Sequence, residues 1–323
     1  MRYPKLFIIL LNWNGKKDTL ECLASLMAIE SPKFQLLIVD NGSQDDSVTE
    51  IRKEYPNIPI LETHENLGFA GGNNVGIEWV LSKGAEWILL LNNDTVVDPH
   101  FLEAFLKAAK EKPNGKIFGA KIYNYKNPQE IDHLGGYWNP KVCEFFSHAQ
   151  KKIDDGFSFE EMNEVDYVCG AALFMHASVP KTIGLLEPRF FLFWEETDFC
   201  MRAKRMGFEI WTAPKAKVWH KISASFIGGK PHSHYFWWRS RLLWMERNLS
   251  FTERRRLYRE QIAPELWKAT RHYLFRSLQS LLTRKPSAKT KALRAKAALL
   301  GAFHYAIGRF GNCPPYLSKT PRK

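Results

Sequence analysis

The stretch Leu6-Phe7-Ile8-Ile9-Leu10-Leu11, followed at once by Asn12-Trp13-Asn14-Gly15, decides the fold. A short apolar run with two β-branched residues and an abrupt polar stop reads as a fully buried β-strand. It falls far below the ~18 uncharged apolar residues of a membrane span. It also lacks the small-residue cleavage site of a signal peptide.

The same pattern recurs three times downstream. Apolar runs at 35–39, 57–61 and 87–91 each lead into a polar cluster. These are Asp40-Asn41-Gly42-Ser43, the Gly- and Asn-rich stretch from His64 to Asn74, and Asn92-Asn93-Asp94. Helices are expected between them over 16–28, 45–55 and 71–83. Strand and helix alternating in this order imply a parallel, doubly wound α/β sheet. Ligands of such sheets bind at the carboxyl ends of the strands, and all four ends here are polar. Further strands are expected at 116–123, at 164–176 around Gly170, and at 208–212 and 216–219. A loop-rich segment spans 128–155, and a helix over 197–206 closes at Gly207.

Charge divides the chain. Of its 323 residues and net charge of +12, residues 230–323 hold 21 Lys and Arg against 4 acids, or +17, which leaves −5 for residues 1–229. The expected organisation is therefore a catalytic α/β domain over 1–229 and a basic helical extension over 230–323. In the extension Tyr258, Ile262 and Leu266 recur at helical spacing, as do Leu274, Leu278 and Leu282; Pro286 interrupts the pattern. A basic, Trp-rich helical tail suits an anionic membrane surface; the alternative is a helical cap on the main body. The five cysteines (Cys22, Cys143, Cys169, Cys200, Cys313) form no CxxC and imply neither a disulfide framework nor a zinc site. A cytoplasmic protein, peripheral at the inner face of the cell membrane, is expected.

The chemistry concentrates in Phe190-Phe191-Leu192-Phe193-Trp194-Glu195-Glu196-Thr197-Asp198. Five apolar residues end in three carboxylates within four positions. Such a cluster is either a solvated helix start, where the dipole favours acids, or the lining of a site that needs a base. The Gly68–Gly76 stretch lacks both GxGxxG and the GxxxxGK[ST] phosphate loop. Its amides at a helix start still suit a nucleotide's sugar or phosphates. Asp40, at a strand end, suits a base or ribose. Asp94 is a candidate metal ligand, since Mg²⁺ is commonly held by one or two carboxylates plus substrate phosphates. His220, after a strand and a Trp, completes that candidate site.

Seven motifs in order carry a resemblance: LLNWNG (10–15), VDNGSQDDS (39–47), ENLGFAGGNNVGI (65–77), ILLLNNDT (88–95), VDYVCGAALFM (165–175), FFLFWEETDFCMRAKRMGFEI (190–210) and VWH (218–220). Together they resemble the family-2 glycosyltransferases of GT-A fold, closest to the bacterial rhamnosyltransferase-like branch. The resemblance implies a mostly parallel sheet flanked by helices. It also implies inverting transfer of a sugar, rhamnose or another deoxyhexose, from a nucleotide diphosphate to a saccharide, free or lipid-linked. By that resemblance Asn12, Asn14, Asp40 and Ser43 hold the nucleoside, and Asn66, Gly68 and Asn73 lie near the ribose and diphosphate. Asn92-Asn93-Asp94 stands in place of the family's DxD, and His220 matches its metal-side histidine, for Mg²⁺ or Mn²⁺. Glu196 matches the catalytic base, flanked by Glu195 and Asp198, which raise its pKa or orient the acceptor.

The chain departs from the family pattern at three points. Asn92 replaces the first Asp of DxD, Glu196 replaces the commoner Asp base, and residues 185–189 lack an Asp-Glu pair. A single base is chemically sufficient. A glycosidase needs a second carboxyl group to protonate its leaving oxygen, whereas a nucleotide diphosphate already leaves as an anion. Two other classes compete with this reading. A sugar-phosphate nucleotidyltransferase calls for an Arg- and Lys-bearing glycine loop after the first strand, which 11–15 lacks. A non-catalytic basic module suits the tail alone, and the acidic body argues against nucleic acid.

Overall fold

The computed structural model describes residues 4–147, 149–221, 230–283 and 286–318. The first strand, β1 (Leu6–Asn12), is buried on both sides, with Leu6, Ile8 and Leu10 in one core and Phe7 and Ile9 in another. It pairs in parallel with β2 (Gln35–Asp40) and β4 (Trp87–Asn92), and β2 pairs in parallel with β3 (Ile60–Glu62). Three helices connect these strands: α1 (Lys16–Met27), α2 (Ser47–Glu54) and α3 (Gly68–Ser82). Cys22, Leu23 and Leu26 of α1 cover the first face, and Ala70, Ile77 and Val80 of α3 cover the second. The expected parallel half of the sheet is present, with its third strand displaced from 57–61 to Ile60–Glu62.

The rest of the sheet is mixed. After β4 come β5 (Thr95–Val97), α4 (Phe101–Glu111), β6 (Gly115–Asn124), β7 (Asn127–His133), β8 (Tyr137–Asn139), β9 (Glu144–Phe146) and β10 (Lys152–Ile153). Then follow β11 (Ala172–His176), α5 (Ser178–Ile183), one 3-10 turn (Pro188–Phe190), α6 (Glu195–Arg205) and β12 (Glu209–His220). Among the described residues the main sheet has ten strands, with β10-β7-β6-β11-β4-β1-β2-β3 in order and β12 bridging β6 and β5. β11 is antiparallel to β4 and β6, and β12 is parallel to β6.

Several expectations change here. Residues 128–155, read as loop-rich, contain β7 to β10, whose two to seven residues are too short and polar for a clear period-2 signal. Only the second half of 164–176 is a strand, because the chain turns at Gly170-Ala171 before β11. The two strands at 208–212 and 216–219 are one, with a register shift between Ala213 and Lys217 that accommodates Pro214.

The extension is helical. α7 (Pro231–Asn248), α8 (Phe251–Leu257), a π-type stretch (Tyr258–Ile262), α9 (Ala263–Thr283), α10 (Pro286–Ala306) and α11 (Pro315–Ser318) follow in order. Pro286 interrupts the pattern by starting α10, where a missing N–H costs nothing. The expected division after residue 229 falls on 222–229, outside the described residues. α7 shares one apolar cluster with the acidic segment, in which Phe190 and Trp194 pack with Trp238, Leu242 and Trp244.

Candidate active site

The strand ends form one hydrogen-bonded shelf. Asn12, fully buried, donates from Nδ2 to Asp40 Oδ1 at 2.7 Å and to Ser43 Oγ at 3.1 Å. The Ser43 amide donates to Asp40 Oδ2 at 2.9 Å, and the Asn14 amide donates to Ser43 Oγ at 2.8 Å. Each Asp40 oxygen keeps a second lone pair for a ligand. Asn93 ties β4 to this shelf by donating from Nδ2 to Thr19 Oγ1 at 2.8 Å and to Asn12 Oδ1 at 3.3 Å. Asn12, Asn14, Asp40, Ser43 and Asn93 are thus brought together.

A second group fixes the start of α3. Asn66 Oδ1 accepts from the Gly68 amide at 2.8 Å, and Asn41 bridges Asn66 Oδ1, the Gly68 carbonyl and the Leu67 amide at 3.0–3.2 Å. Gly68 has φ +75°, and a Cβ there would stand 2.3 Å from the Phe191 carbonyl oxygen. Only glycine permits this approach, so the donor-side loop is seated against the acidic segment. Asn73 is placed differently: it is buried in α3 and donates to the Phe69 carbonyl at 2.9 Å.

Asp94 and His220 meet because β12 runs antiparallel to β5 and sets His220 opposite Thr95. His220 Nε2 lies 3.1 Å from Asp94 Oδ1, and both residues are buried. Asn92, at the end of β4, gives its carbonyl to Thr95 Oγ1 at 2.7 Å. Among the described residues no group of three or more His, Cys, Asp or Glu side chains is arranged to hold a metal. One carboxylate oxygen and one imidazole nitrogen still fit a divalent cation whose other ligands are substrate phosphates.

The acidic segment is strained, and α7 holds it. Phe191, Phe193 and Trp194 have φ of 64°, 66° and 71°, conformations costly for bulky residues and typical of functional sites. The Phe191 carbonyl accepts from the Phe69 amide at 2.6 Å. Ser240 of α7 donates to the carbonyls of Phe190 and Leu192 at 3.1 and 2.9 Å, and Phe236 stacks on Phe191 at 5.0 Å. The result aims the first turn of α6 inward. Glu195 and Glu196 each have a buried Oε2 with no hydrogen-bond partner. Burial pushes the Glu196 carboxyl above its ordinary range, against the N–H groups of its own amide, Thr197 and Gly170, which favour the charged form. Burial, then the neighbouring Glu196 charge, pushes Glu195 higher still. Both shifts run against full ionisation of the pair.

Asp198 corrects an expectation. It is fully buried and accepts from Arg202 Nε at 2.9 Å, Arg247 Nε at 2.9 Å and Asn248 Nδ2 at 2.9 Å. Arg247 also reaches Glu187 at 2.7 Å. All three partners are structural, so Asp198 pins α6 to α7 rather than facing an acceptor.

Two polar residues escaped sequence reasoning. Asn41 lies within a quoted cluster, but nothing in the pattern ranks it above its neighbours. Asp132 of β7 lies within electrostatic reach of His220, and burial raises its pKa. It sits in the segment read as loop, where no spacing marked it.

Strand-end amides and carboxylates on one edge of this α/β sheet, with the start of α3 seated against the acidic segment, fit a glycosyltransferase of GT-A fold. The chain belongs to the family "Glycosyl transferase family 2", whose model matches residues 7–179. It is 24% identical over 264 residues, 69% of this chain and 82% of the relative, to the N-acetylglucosaminyl-diphospho-decaprenol L-rhamnosyltransferase of Mycobacterium tuberculosis. It is 20% identical over 220 residues, 67% of this chain and 69% of the relative, to the dTDP-rhamnosyl transferase RfbF of Shigella flexneri. Among solved structures, the mannosyltransferase PcManGT of Pyrobaculum calidifontis, in complex with GDP-Man and Mn²⁺, superposes with a TM-score of 0.56 at 11% identity. That match covers 94% of this chain and 88% of the other. The chain is a glycosyltransferase.

Proposed function

We propose that the protein transfers a deoxyhexose, with dTDP-rhamnose the first candidate donor, to a saccharide hydroxyl with inversion at the anomeric carbon. The observation that carries this reading is the buried Oε2 of Glu196, which has no hydrogen-bond partner, on a segment seated beside the donor-side loop by the Phe69–Phe191 contact. Asp40, Asn12, Asn14 and Ser43 take the nucleoside, and the Asn66–Gly68 turn takes the ribose and diphosphate. Glu196 accepts the acceptor hydroxyl's proton as that oxygen bonds to the anomeric carbon. The bond from that carbon to the phosphate oxygen breaks on the opposite face, and its electron pair leaves with the nucleotide diphosphate. A carboxyl whose pKa is raised toward neutrality is the better proton acceptor. Burial disfavours the charged form of Glu195, which limits the negative charge beside Glu196.

Asp94 and His220 would hold Mg²⁺ or Mn²⁺, which supplies charge neutralisation for the departing diphosphate. The two rhamnosyltransferase relatives support the sugar, and the diphospho-decaprenol in one relative's name supports a lipid-linked acceptor. Contact with that acceptor is assigned to the basic extension over 230–323, with 21 Lys and Arg against 4 acids; among the described residues no helix is long and apolar enough to cross a membrane. The five free cysteines support a reducing, cytoplasmic setting at the inner membrane face. Product analysis tests the proposal. Incubation with dTDP- and UDP-sugars and lipid-extracted acceptors should release dTDP from dTDP-rhamnose and add one sugar of inverted configuration. Release without acceptor modification, or retained configuration, contradicts it.

A further inference from the structure

One face of the extension is bare. α9 contributes no buried residue over its 21 positions. Trp267, Leu274, Phe275, Leu278, Leu281 and Leu282 fall on one helical face, at offsets of 7, 8, 11, 14 and 15 from the first, and are 57–77% exposed. A contiguous apolar surface of this kind marks an interaction site.

Beside that face, α7, α9 and α10 border an open cleft of about 640 Å³. Its walls carry His234, Lys268, His272, Arg276, Lys291 and Arg294. The single acid, Glu265, is ion-paired with Arg241 at 2.7 Å. Among the described residues neither Lys268 nor Lys291 has an ion pair. The cleft is therefore a concentration of positive charge at the margin of an apolar helix face. A soluble phosphate satisfies the cations but leaves the apolar residues in water. A second copy of the chain covers the apolar face but sets like charges against like. A ligand with a phosphate at one end and hydrocarbon at the other satisfies both.

We propose that this cleft binds the phosphate headgroup of an anionic phospholipid, with the α9 face seated in the bilayer interface. The inference rests on the membrane side of the proposed function and assigns it a location. Trp267 lies at the interfacial depth where indole rings are favoured, and the cleft volume is that of a small-molecule site.

The test is co-sedimentation of the full chain with vesicles of phosphatidylcholine alone or mixed with phosphatidylglycerol, without donor or acceptor. The parent should bind the mixed vesicles, release at high salt, and show a fluorescence change that Trp267→Phe removes. Each cation held near an anionic surface changes affinity by about fivefold. Lys268→Ser/Lys291→Ser should therefore lose about 25-fold. Arg255→Ser/Arg259→Ser, which removes equal charge outside the cleft, should lose far less. Leu278→Ser/Leu281→Ser should abolish binding while keeping the parent's circular dichroism and melting. Equal losses in the two charge variants would overturn the cleft assignment. So would saturable stabilisation by inorganic phosphate without vesicle binding, or a dimer that Leu278→Asp dissolves. None of these readouts involves sugar transfer, so their failure leaves the transferase reading to its own test.

Discussion

Replacing Asp198 by Ala separates structural from catalytic carboxylates in the acidic segment. The side chain is fully buried and receives Arg202, Arg247 and Asn248 at 2.9 Å each. Removing one partner of a buried ion pair costs about 3–5 kcal/mol, because the remaining charge is stranded. The lower end applies here. Arg202 retains the carbonyls of Ile183 and Leu185 at 2.6 and 2.7 Å, and Arg247 retains Glu187 at 2.7 Å. A loss of about 3 kcal/mol corresponds to a fall in Tm of roughly 4–5 °C for a chain of this size. Arg247→Ala should lose a similar amount, and the double variant less than the sum, since both changes break one network. Thermal melting reads the stability. Turnover, measured where parent and variant are both folded, should fall less than tenfold. A variant that melts like the parent but loses transfer a hundredfold would refute this reasoning and return Asp198 to the chemistry.

Further outcomes follow from the same geometry. Gly68→Ala should destabilise by at least about 1–2 kcal/mol for the left-handed backbone alone, and should lower turnover about 10²-fold by displacing the Phe191 loop. Parent-like turnover in that variant counts against the coupling of donor loop to base. Glu195 binds its proton more tightly folded than unfolded, so its stabilising effect is full below its ordinary 4.5 and is lost as pH rises through its raised value. Glu195→Gln should thus melt higher than the parent near pH 8, with the gap closing below about pH 4.5; a gap that widens on acidification contradicts the assignment. Asp94→Ala should erase any tightening of dTDP or UDP binding by Mn²⁺ in calorimetry, and an undiminished metal effect would remove Asp94 from the cation site.

The parallel half of the fold was legible because each buried strand is a continuous apolar run with a polar stop. In the mixed half β6, β11 and β12 were legible as apolar runs, but β7 to β10 were not. β7 to β10 are short, and their pairing is set by distant partners rather than by local pattern. The same distinction governs the site. Asn12, Asp40 and Ser43 lie at strand ends, so topology alone brings them together. Asp198 carries the charge expected of a catalytic group, but the Arg247 that neutralises it lies 49 residues away, in the extension. Asp132 had no local signal, since its position depends on how β7 joins β6. The extension's basic character was visible in composition. Its grip on residues 190–194 through Ser240 and Phe236 was not, because side-chain contacts to backbone carbonyls leave no periodicity.

The central claim is that Glu196 takes the acceptor's proton. Glu196→Gln preserves shape and removes the charge, so one pair of measurements decides it: donor affinity by calorimetry and single-turnover transfer. The account predicts unchanged nucleotide-sugar binding with transfer reduced by roughly 10²-fold or more. The parent's rate should fall on acidification as the raised Glu196 carboxyl is protonated. Parent-like transfer by Glu196→Gln, with the same acid limb, would contradict it.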